Sequence, residues 1–348
     1  MKYSRVYVDA IGYELPPVVV TSSELEARLA GVYEALRIPR GQLEALTGIV
    51  ERRWWDEGYP LAEGAIAAAR HALGGSEVRP EEIDALIYAG VCREQFEPAT
   101  ACRVAAGVGV SPGAAVHDVT NACLGALNGM VDIANRIELG QIRAGLVVSC
   151  ETAREINDIM IERMVRAKSM EMFKDSLATL TGGSGAVALL LTDGSFSSAR
   201  RRRLLGGVTQ TAPQFHALCR WGWEAIRPLH QFSQVMATDS VAVLKHGVDL
   251  ALRTWAAFLR KLGWDQDQVD KVICHQVGAG HRDSILKALG IAAEKEFSTF
   301  AYLGNIGTVS LPLTAALAEE REFLRQGDRV GFLGIGSGLN CLMLGLEW

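Results

Sequence analysis

The chain has 348 residues, of which 49% are hydrophobic and 22% are charged, and this composition predicts a globular protein with a large core. Its 35 basic and 40 acidic residues give a formal net charge of −5, which argues against nucleic acid as the main partner. The first residues lack the apolar stretch of a secretion signal, and no apolar run is long enough to be a transmembrane segment.

Seven cysteines are scattered along the chain without a C-x-x-C pair: Cys92, Cys102, Cys123, Cys150, Cys219, Cys274 and Cys341. An odd number at irregular spacing indicates neither a disulfide framework nor a zinc site, so we expect no metal. We expect a reducing cytoplasm, in which most of these thiols serve as small buried hydrophobic groups.

An internal repeat organises the chain. Residues 83–87 resemble residues 269–273, and residues 143–146 resemble residues 329–332, both at a shift of 186 positions. A constant shift over about sixty residues is typical of a duplicated unit. The repeat therefore predicts two similar halves, related by a pseudo-two-fold axis, with a site at their junction.

Each half shows the same succession of elements. A charged turn leads into a short apolar strand, a run of small residues then opens a helix, and a second strand follows. Strands that alternate with amphipathic helices predict α/β layers around buried sheets. The strands are expected at 84–90 and 144–150 and again at 270–275 and 329–335, with helices from about 123 and 309.

We place the two halves at residues 1–195 and 196–348. Residues 152–180 have a helical pattern without a repeat partner, and they carry four methionines, which suit either a core stripe or, less often, an adaptable apolar tunnel. An arginine run within residues 194–207 is typical of a solvated face, and a contact to a coenzyme phosphate is a lesser alternative. The four methionines are Met160, Met164, Met170 and Met172.

Cys123 stands where a predicted strand ends and a helix begins. Small residues around it permit a tight turn and close packing: Ala122, Gly125, Ala126 and Gly129. The positive end of a helix dipole lowers the pKa of a cysteine, and free N–H groups there can hold an oxyanion. We therefore predict a nucleophilic thiolate at Cys123 and structural roles for the other six cysteines.

Two residues of the second half are candidate partners of this thiol. His275 stands at the end of a predicted strand, and Asn305 lies in a glycine-flanked loop just before a helix. The repeat shift carries Asn305 to within a few residues of Cys123, so the pseudo-symmetry places both loops at one junction. Together the three residues form a set that can activate a thiol and polarise a thioester carbonyl.

These residues resemble the type III ketoacyl synthases of the thiolase superfamily. The similar pieces are spread along the chain in the family's order: NAC at 121–123, HQ at 275–276, GN at 304–305 and GIGSGL from 334. The resemblance implies a thiolase fold, a duplicated five-layered αβαβα arrangement in an obligate dimer. A homodimer is expected, and a heterodimer is the alternative.

Within that family the chain is most similar to the OleA-type enzymes, which condense two acyl-CoA molecules head to head. The likeness adds FEPAT at 96–100 and ERRWWD at 51–56. It implies that Cys123 is the nucleophile and that His275 and Asn305 hold the thioester oxygen of the second substrate. It also implies that backbone N–H groups of Cys123 and Ser337 form the oxyanion hole and that Glu97 enters the partner's active site.

Glu97 decides between two chemistries. Decarboxylation of a malonyl thioester needs no base, and a nearby carboxylate would repel the malonyl group. Joining two plain acyl thioesters requires removal of an α-proton, for which a desolvated glutamate is a suitable base. The expected reaction is a non-decarboxylative Claisen condensation of fatty acyl-CoA to a 2-alkyl-3-ketoacyl product. Its coenzyme A thioesters are substrates, and no cofactor is expected.

Three alternatives stay open at this point. The first two are a decarboxylative synthase that uses malonyl thioesters and a condensation similar to that of the hydroxymethylglutaryl-CoA synthases. A non-catalytic subunit of a heterodimeric enzyme is the third. Ordinary family members bind coenzyme A through residues that are replaced here by Gln42 and Leu46. Candidate substitutes for this contact are Arg52, Arg53 and Arg220.

Overall fold

The computed structural model describes residues 1–197, 202–226 and 231–348, and structural statements refer to these residues. The strands are β1 (Tyr7–Glu14), β2 (Val18–Thr21), β3 (Glu51–Trp54), β4 (Ala85–Ala89), β5 (Ala115–Val119), β6 (Ala144–Glu151), β7 (Gly185–Thr192), β8 (Arg203–Thr211), β9 (Cys219–Ile226), β10 (Gln231–Thr238), β11 (Lys271–Cys274), β12 (Arg329–Gly336) and β13 (Asn340–Glu347).

The helices are α1 (Ser22–Arg28), α2 (Ala30–Leu36), α3 (Gln42–Thr47), α4 (Leu61–Gly74), α5 (Thr100–Val108), α6 (Gly125–Glu138), α7 (Arg154–Ala167), α8 (Met170–Ser176), α9 (Ser240–Leu262), α10 (Ala279–Leu289), α11 (Phe300–Leu303) and α12 (Ser310–Glu320). Within the described ranges, none of them is long and apolar enough to cross a membrane.

The main sheet joins strands of both halves edge to edge. Its order is β11-β12-β13-β8-β1-β7-β6-β4-β5, so each half contributes a contiguous block. The blocks meet where β1 pairs with β8, with Tyr7 opposite Arg203. The Val8 N–H donates to the Arg202 carbonyl, and the Leu204 N–H donates to the Val6 carbonyl.

Helices pack in three layers around these two blocks. Buried residues of α6 and α12 share one core with strands of both halves, so these helices form the middle layer. Helices α4 and α5 pack on the opposite face of the first block, and α9 and α10 pack on the opposite face of the second. Alternate residues of β4 divide accordingly, with Ile87 in the central core and Leu86 in the outer one. The predicted αβαβα thiolase fold is confirmed.

The repeat is visible in individual hydrogen bonds. The Asp84 carboxylate accepts the Arg143 N–H at 2.8 Å, and the Asp270 carboxylate accepts the Arg329 N–H at 2.8 Å. These bonds tie the start of β4 to β6 and the start of β11 to β12, and both strand pairs are parallel. The sequence shift therefore marks equivalent positions in the two halves.

Residues 152–180 contain α7 and α8, and two of their four methionines pack in the protein core. Met160 and Met164 are buried, and Met164 lies among side chains that include Leu25 and Leu29. Met170 is exposed. None of the four methionines lines the cavity of Cys123. The burial of Met160 and Met164 favours a core stripe for these two residues.

The arginine run is less solvated than its composition indicates. Arg202 is buried, forms an ion pair with Glu319 at 2.6 Å and lies over the ring of Trp348. Arg203 is exposed and pairs with Glu347 at 3.3 Å. The preceding residues of the run, up to position 201, lie outside the described ranges. For Arg202, the prediction of a solvated face is wrong because its partner comes from distant α12.

Candidate active site

A cavity of about 520 Å³ lies at the junction of the two halves. Cys123 lines it from the first half, and His275, Asn305 and Ser337 line it from the second. The structure therefore brings four of the five predicted site residues to one place. Glu97 is not among the residues that line this cavity.

The turn that carries Cys123 is held by a residue of the other half. Ala122 adopts a left-handed backbone conformation with φ of 46°, which is strained for a residue other than glycine. The Thr308 hydroxyl accepts the N–H of Ala126 at 2.6 Å, so it satisfies a free donor in the first turn of α6. Thr308 thus couples the helix behind Cys123 to the loop of Asn305.

The predicted low pKa of Cys123 is wrong. Burial raises the pKa of this thiol to about 12, and the charges of Cys219 and Glu151 add to the effect. A hydrogen bond from the backbone N–H of Cys123 opposes the shift but is outweighed. Cys123 therefore rests as a neutral thiol, although it stands at a helix start as predicted.

His275 is also neutral at rest. It follows β11 and is buried. Its backbone N–H donates to the Leu333 carbonyl at 3.1 Å. Burial lowers the pKa of its imidazole to about 3, and the neighbouring His281 contributes to this shift. Its Nδ1 atom is buried without a hydrogen-bond partner among the described residues. A neutral thiol and a neutral imidazole thus share the cavity, and the imidazole can accept a proton.

Gln276 links the strand of His275 to the segment that precedes Asn305. Its Oε1 accepts the N–H groups of Thr299 and Phe300, and its Nε2 donates to the Cys274 carbonyl at 2.8 Å. All of these groups are buried. The network therefore sets the relative position of the two predicted donors.

Asn305 is fixed from both sides. Its N–H donates to the Thr181 carbonyl at 2.9 Å, and its Oδ1 accepts the Gly307 N–H at 3.1 Å. Because the oxygen is occupied, the Nδ2 group remains as the donor for a ligand. Gly304 has φ of 69°, and a Cβ there would lie 2.6 Å from the Thr181 carbonyl, so this approach requires glycine.

The turn that carries Ser337 lies against Cys123. A Cβ added at Gly336 would lie 3.4 Å from the backbone nitrogen of Cys123. The Asn340 amide donates to Asn121 Oδ1 at 3.1 Å, and the Asn121 amide donates to Asn128 at 2.8 Å. This chain of amides ties the turn between β12 and β13 to the start of α6, which brings two predicted oxyanion donors into one wall.

Glu97 lies on the exposed loop of residues 90–99, between β4 and α5. Its neighbour Phe96 is 88% exposed, although it is a large apolar residue. Within its own chain Glu97 does not reach the cavity of Cys123. A role for this carboxylate in the reaction thus requires a second subunit.

Comparisons with known proteins agree with this geometry. The family described as 3-Oxoacyl-[acyl-carrier-protein (ACP)] synthase III C terminal matches residues 259–348. The chain is 57% identical to the acyl-CoA:acyl-CoA alkyltransferase of Shewanella oneidensis over 350 residues, covering 100% of both proteins. It is 35% identical to that of Xanthomonas campestris over 349 residues, again covering 100% of both. The chain belongs to the acyl-CoA:acyl-CoA alkyltransferase (OleA) family.

Solved structures support the same assignment. Cerulenin-bound OleA of Xanthomonas campestris matches with a TM-score of 0.94 and 35% identity, covering 100% of this chain and 98% of that one. A cysteine-to-serine variant with bound lauric acid and lauroyl-CoA matches with a TM-score of 0.92 and 35% identity, covering 99% and 100%. Other matches are structures of the same enzyme in which a glutamate is replaced by glutamine or a histidine by asparagine.

The sequence analysis did not predict three further residues in or behind the cavity. Glu151 and His281 line it directly, and Thr308 lies behind it. Burial lowers the pKa of His281 to about 4. Glu151 ends a fully buried strand, and a charged residue at the end of such a strand was the available signal. His281 and Thr308 carried no comparable signal, since their positions depend on tertiary packing.

The three candidate arginines differ in the structure. Arg52 is fully buried, and its guanidinium donates to the carbonyls of Val20 and Leu180 and to the Ser22 hydroxyl. Arg53 donates to a backbone carbonyl at 3.2 Å. Arg220 is exposed and lines the cavity. Arg52, one of three candidate contacts of coenzyme A, is therefore a buried structural residue, and the equally open alternative of a salt-bridged surface residue does not apply to it.

Proposed function

We propose that this protein joins two fatty acyl-CoA molecules by a non-decarboxylative Claisen condensation. The observation that carries the proposal is the cavity in which the Cys123 thiol meets His275 and Asn305 of the other half. The relatives named acyl-CoA:acyl-CoA alkyltransferase support the substrate class. The product is a 2-alkyl-3-ketoacyl compound, a precursor suited to olefin or β-lactone formation.

The first half-reaction loads Cys123. As its sulfur attacks the thioester carbonyl, the thiol proton passes to the neutral imidazole of His275, and the carbon–sulfur bond to coenzyme A breaks. The departing thiolate takes this proton and leaves as coenzyme A thiol. Backbone N–H groups of Cys123 and Ser337 stabilise the oxyanion of the tetrahedral intermediate. A neutral imidazole suits this step, because a protonated one could not accept the proton.

The second half-reaction makes the carbon–carbon bond. Glu97 of the partner subunit removes an α-proton from a second acyl-CoA, and the enolate oxygen is held by His275 and Asn305. The α-carbon attacks the acyl group on Cys123, whose sulfur leaves and is protonated again. Each step balances with side chains and coenzyme A thioesters alone, so the proposal includes no further cofactor or metal.

The position of Glu97 supports a dimer. Its loop is exposed and carries an almost fully exposed Phe96, and such an apolar side chain is typical of an interface. We propose a homodimer, with a heterodimer as the alternative. In the relative from Xanthomonas campestris, the varied glutamate and cysteine are separated by as many residues as Glu97 and Cys123. All seven cysteines are free, which supports a reducing cytoplasm as the location.

The deciding experiment is incubation of the purified protein with lauroyl-CoA alone, without malonyl-CoA. We expect release of coenzyme A and a condensed product whose mass corresponds to two acyl chains. The C123A variant should give neither a covalent adduct nor product. A requirement for malonyl-CoA with release of carbon dioxide would instead identify a decarboxylative synthase. Product formation only with acetoacetyl-CoA as partner would identify a hydroxymethylglutaryl-CoA synthase, and no labelling of Cys123 would identify a non-catalytic subunit.

A further inference from the structure

Glu151 is a buried carboxylate in the wall of the active-site cavity. It ends β6, is 4% exposed, and lines the cavity together with Cys123 and Asn305. Among the described residues it has no ion-pair partner within 4.0 Å. Burying an unpaired carboxylate is costly, so a glutamate at this position calls for an explanation.

Both oxygens of Glu151 hold the same short segment of backbone. Oε1 accepts the Val91 N–H at 2.9 Å, and Oε2 accepts the Cys92 N–H at 3.0 Å. Val91 and Cys92 belong to the start of residues 90–99, here named the Glu97 loop. An ionised carboxylate suits this task because it offers acceptors only, whereas an amide would direct its NH₂ group at one of the two donors.

The same carboxylate touches the loop that carries Asn305. A Cβ added at Gly307 would lie 3.5 Å from Glu151 Oε1, so the two groups are close neighbours. Glu151 thus lies between the start of the Glu97 loop on one side and the loop of Asn305 on the other.

Beyond this start, the Glu97 loop is mostly exposed. Tyr88 adds a hydrogen bond from its hydroxyl to the Cys92 carbonyl at 2.9 Å. Glu94 accepts the Ala62 N–H at 3.0 Å near the surface. Glu97 follows and makes no hydrogen bond to any residue that the structure describes. The bonds to Glu151 thus hold the buried start of the loop, and an ion pair between Arg103 and Glu94 at 2.9 Å holds its middle.

We propose that Glu151 is a positioning residue for the second half-reaction: it holds the start of the Glu97 loop so that Glu97 enters the partner's cavity. The inference rests on the proposed function, because it assumes that Glu97 acts across a dimer. It assigns Glu151 no contact with the reacting atoms of its own site.

The first test separates the two half-reactions in the variants E151Q and E151D. In E151Q, condensation should fall at least tenfold relative to acylation of Cys123 by lauroyl-CoA, whose rate is measured separately in the same variant. E151D retains two acceptor oxygens and should recover part of the loss. E162Q, which changes an exposed glutamate of α7, is the matched control and should behave like the wild type. Equal losses in both half-reactions would overturn the proposal.

The second test uses a mixed dimer, made by co-expressing differently tagged C123A and E151Q chains. Its only acylated site lies in the E151Q chain, and the Glu97 loop that serves this site comes from the C123A chain with an intact Glu151. We expect about half the wild-type rate per dimer, because one of two symmetric sites is complete. An inactive mixed dimer would show that Glu151 acts within its own cavity and would overturn the proposal.

Two further outcomes have their own interpretation. If E151Q does not fold, the mixed dimer is made with E151D, and restoration of the rate lost in the E151D homodimer supports the proposal. If the wild-type protein is acylated by lauroyl-CoA but forms no condensed product, the proposed function has failed, and Glu151 then positions nothing for this reaction.

Discussion

The reactivity of Cys123 toward iodoacetamide should rise steeply with pH. Only the thiolate is alkylated, and burial raises the pKa of Cys123 from 9.0 to about 12. At pH 8 the thiolate fraction is then about 10⁻⁴, compared with about a tenth for a thiol at the ordinary value. The structure therefore predicts alkylation about a thousandfold slower than that of an unperturbed thiol.

The assay is alkylation followed by peptide-resolved mass spectrometry at intervals between pH 6 and pH 10. The Cys123 peptide should gain about tenfold in rate per pH unit over this whole range. Cys102 is exposed and reports on the reagent in the same sample. A rate for Cys123 that is high and level between pH 6 and pH 8 would indicate a thiolate–imidazolium pair and refute the reasoning.

Three further predictions concern stability and substrate binding. Since burial lowers the pKa of His275 to about 3 from 6.5, the unfolded state binds more protons below pH 6.5, and stability falls with decreasing pH. Between pH 7 and pH 5 the wild type should lose about 2 kcal/mol more than H275Q in urea denaturation, and equal losses would contradict this. R52A should lose about 3–5 kcal/mol by the same method, because buried carbonyls lose their donor, whereas R220A should keep its stability and raise the KM for acyl-CoA about tenfold. T308V leaves the Ala126 N–H unsatisfied and should lose about 1–3 kcal/mol, which T308S should largely recover.

The duplicated fold and the position of Cys123 were predictable because their signals are local. The strand, helix and strand of each half follow from hydrophobic patterns over a few residues, and equivalent positions such as Asp84 and Asp270 make the same bond. Cys123 stands at the strand-to-helix junction that its small neighbours indicate. Because the two halves share one fold, the repeat shift also placed Asn305 near Cys123.

The pKa of Cys123 could not be predicted from local sequence patterns in the same way. A helix dipole stabilises a charge by about 0.3–1 kcal/mol at an exposed helix end, and the sequence shows this contribution. The opposing loss of solvation depends on segments far apart in the chain. Raising the pKa of Cys123 from 9.0 to about 12 corresponds to about 4 kcal/mol, so burial outweighs the dipole.

Sequence alone thus determined the layers of the fold, the position of Cys123 at a strand-to-helix junction and the family resemblance, since these depend on short patterns and their order. Only the tertiary structure decided that Arg52 is a buried donor to backbone carbonyls and that Arg220 lines the cavity. It alone showed that the Glu151 carboxylate accepts two hydrogen bonds from the start of the Glu97 loop. Each of these outcomes depends on the segments that shield a side chain from water. These segments are distant in the chain and come together only when the two halves pack.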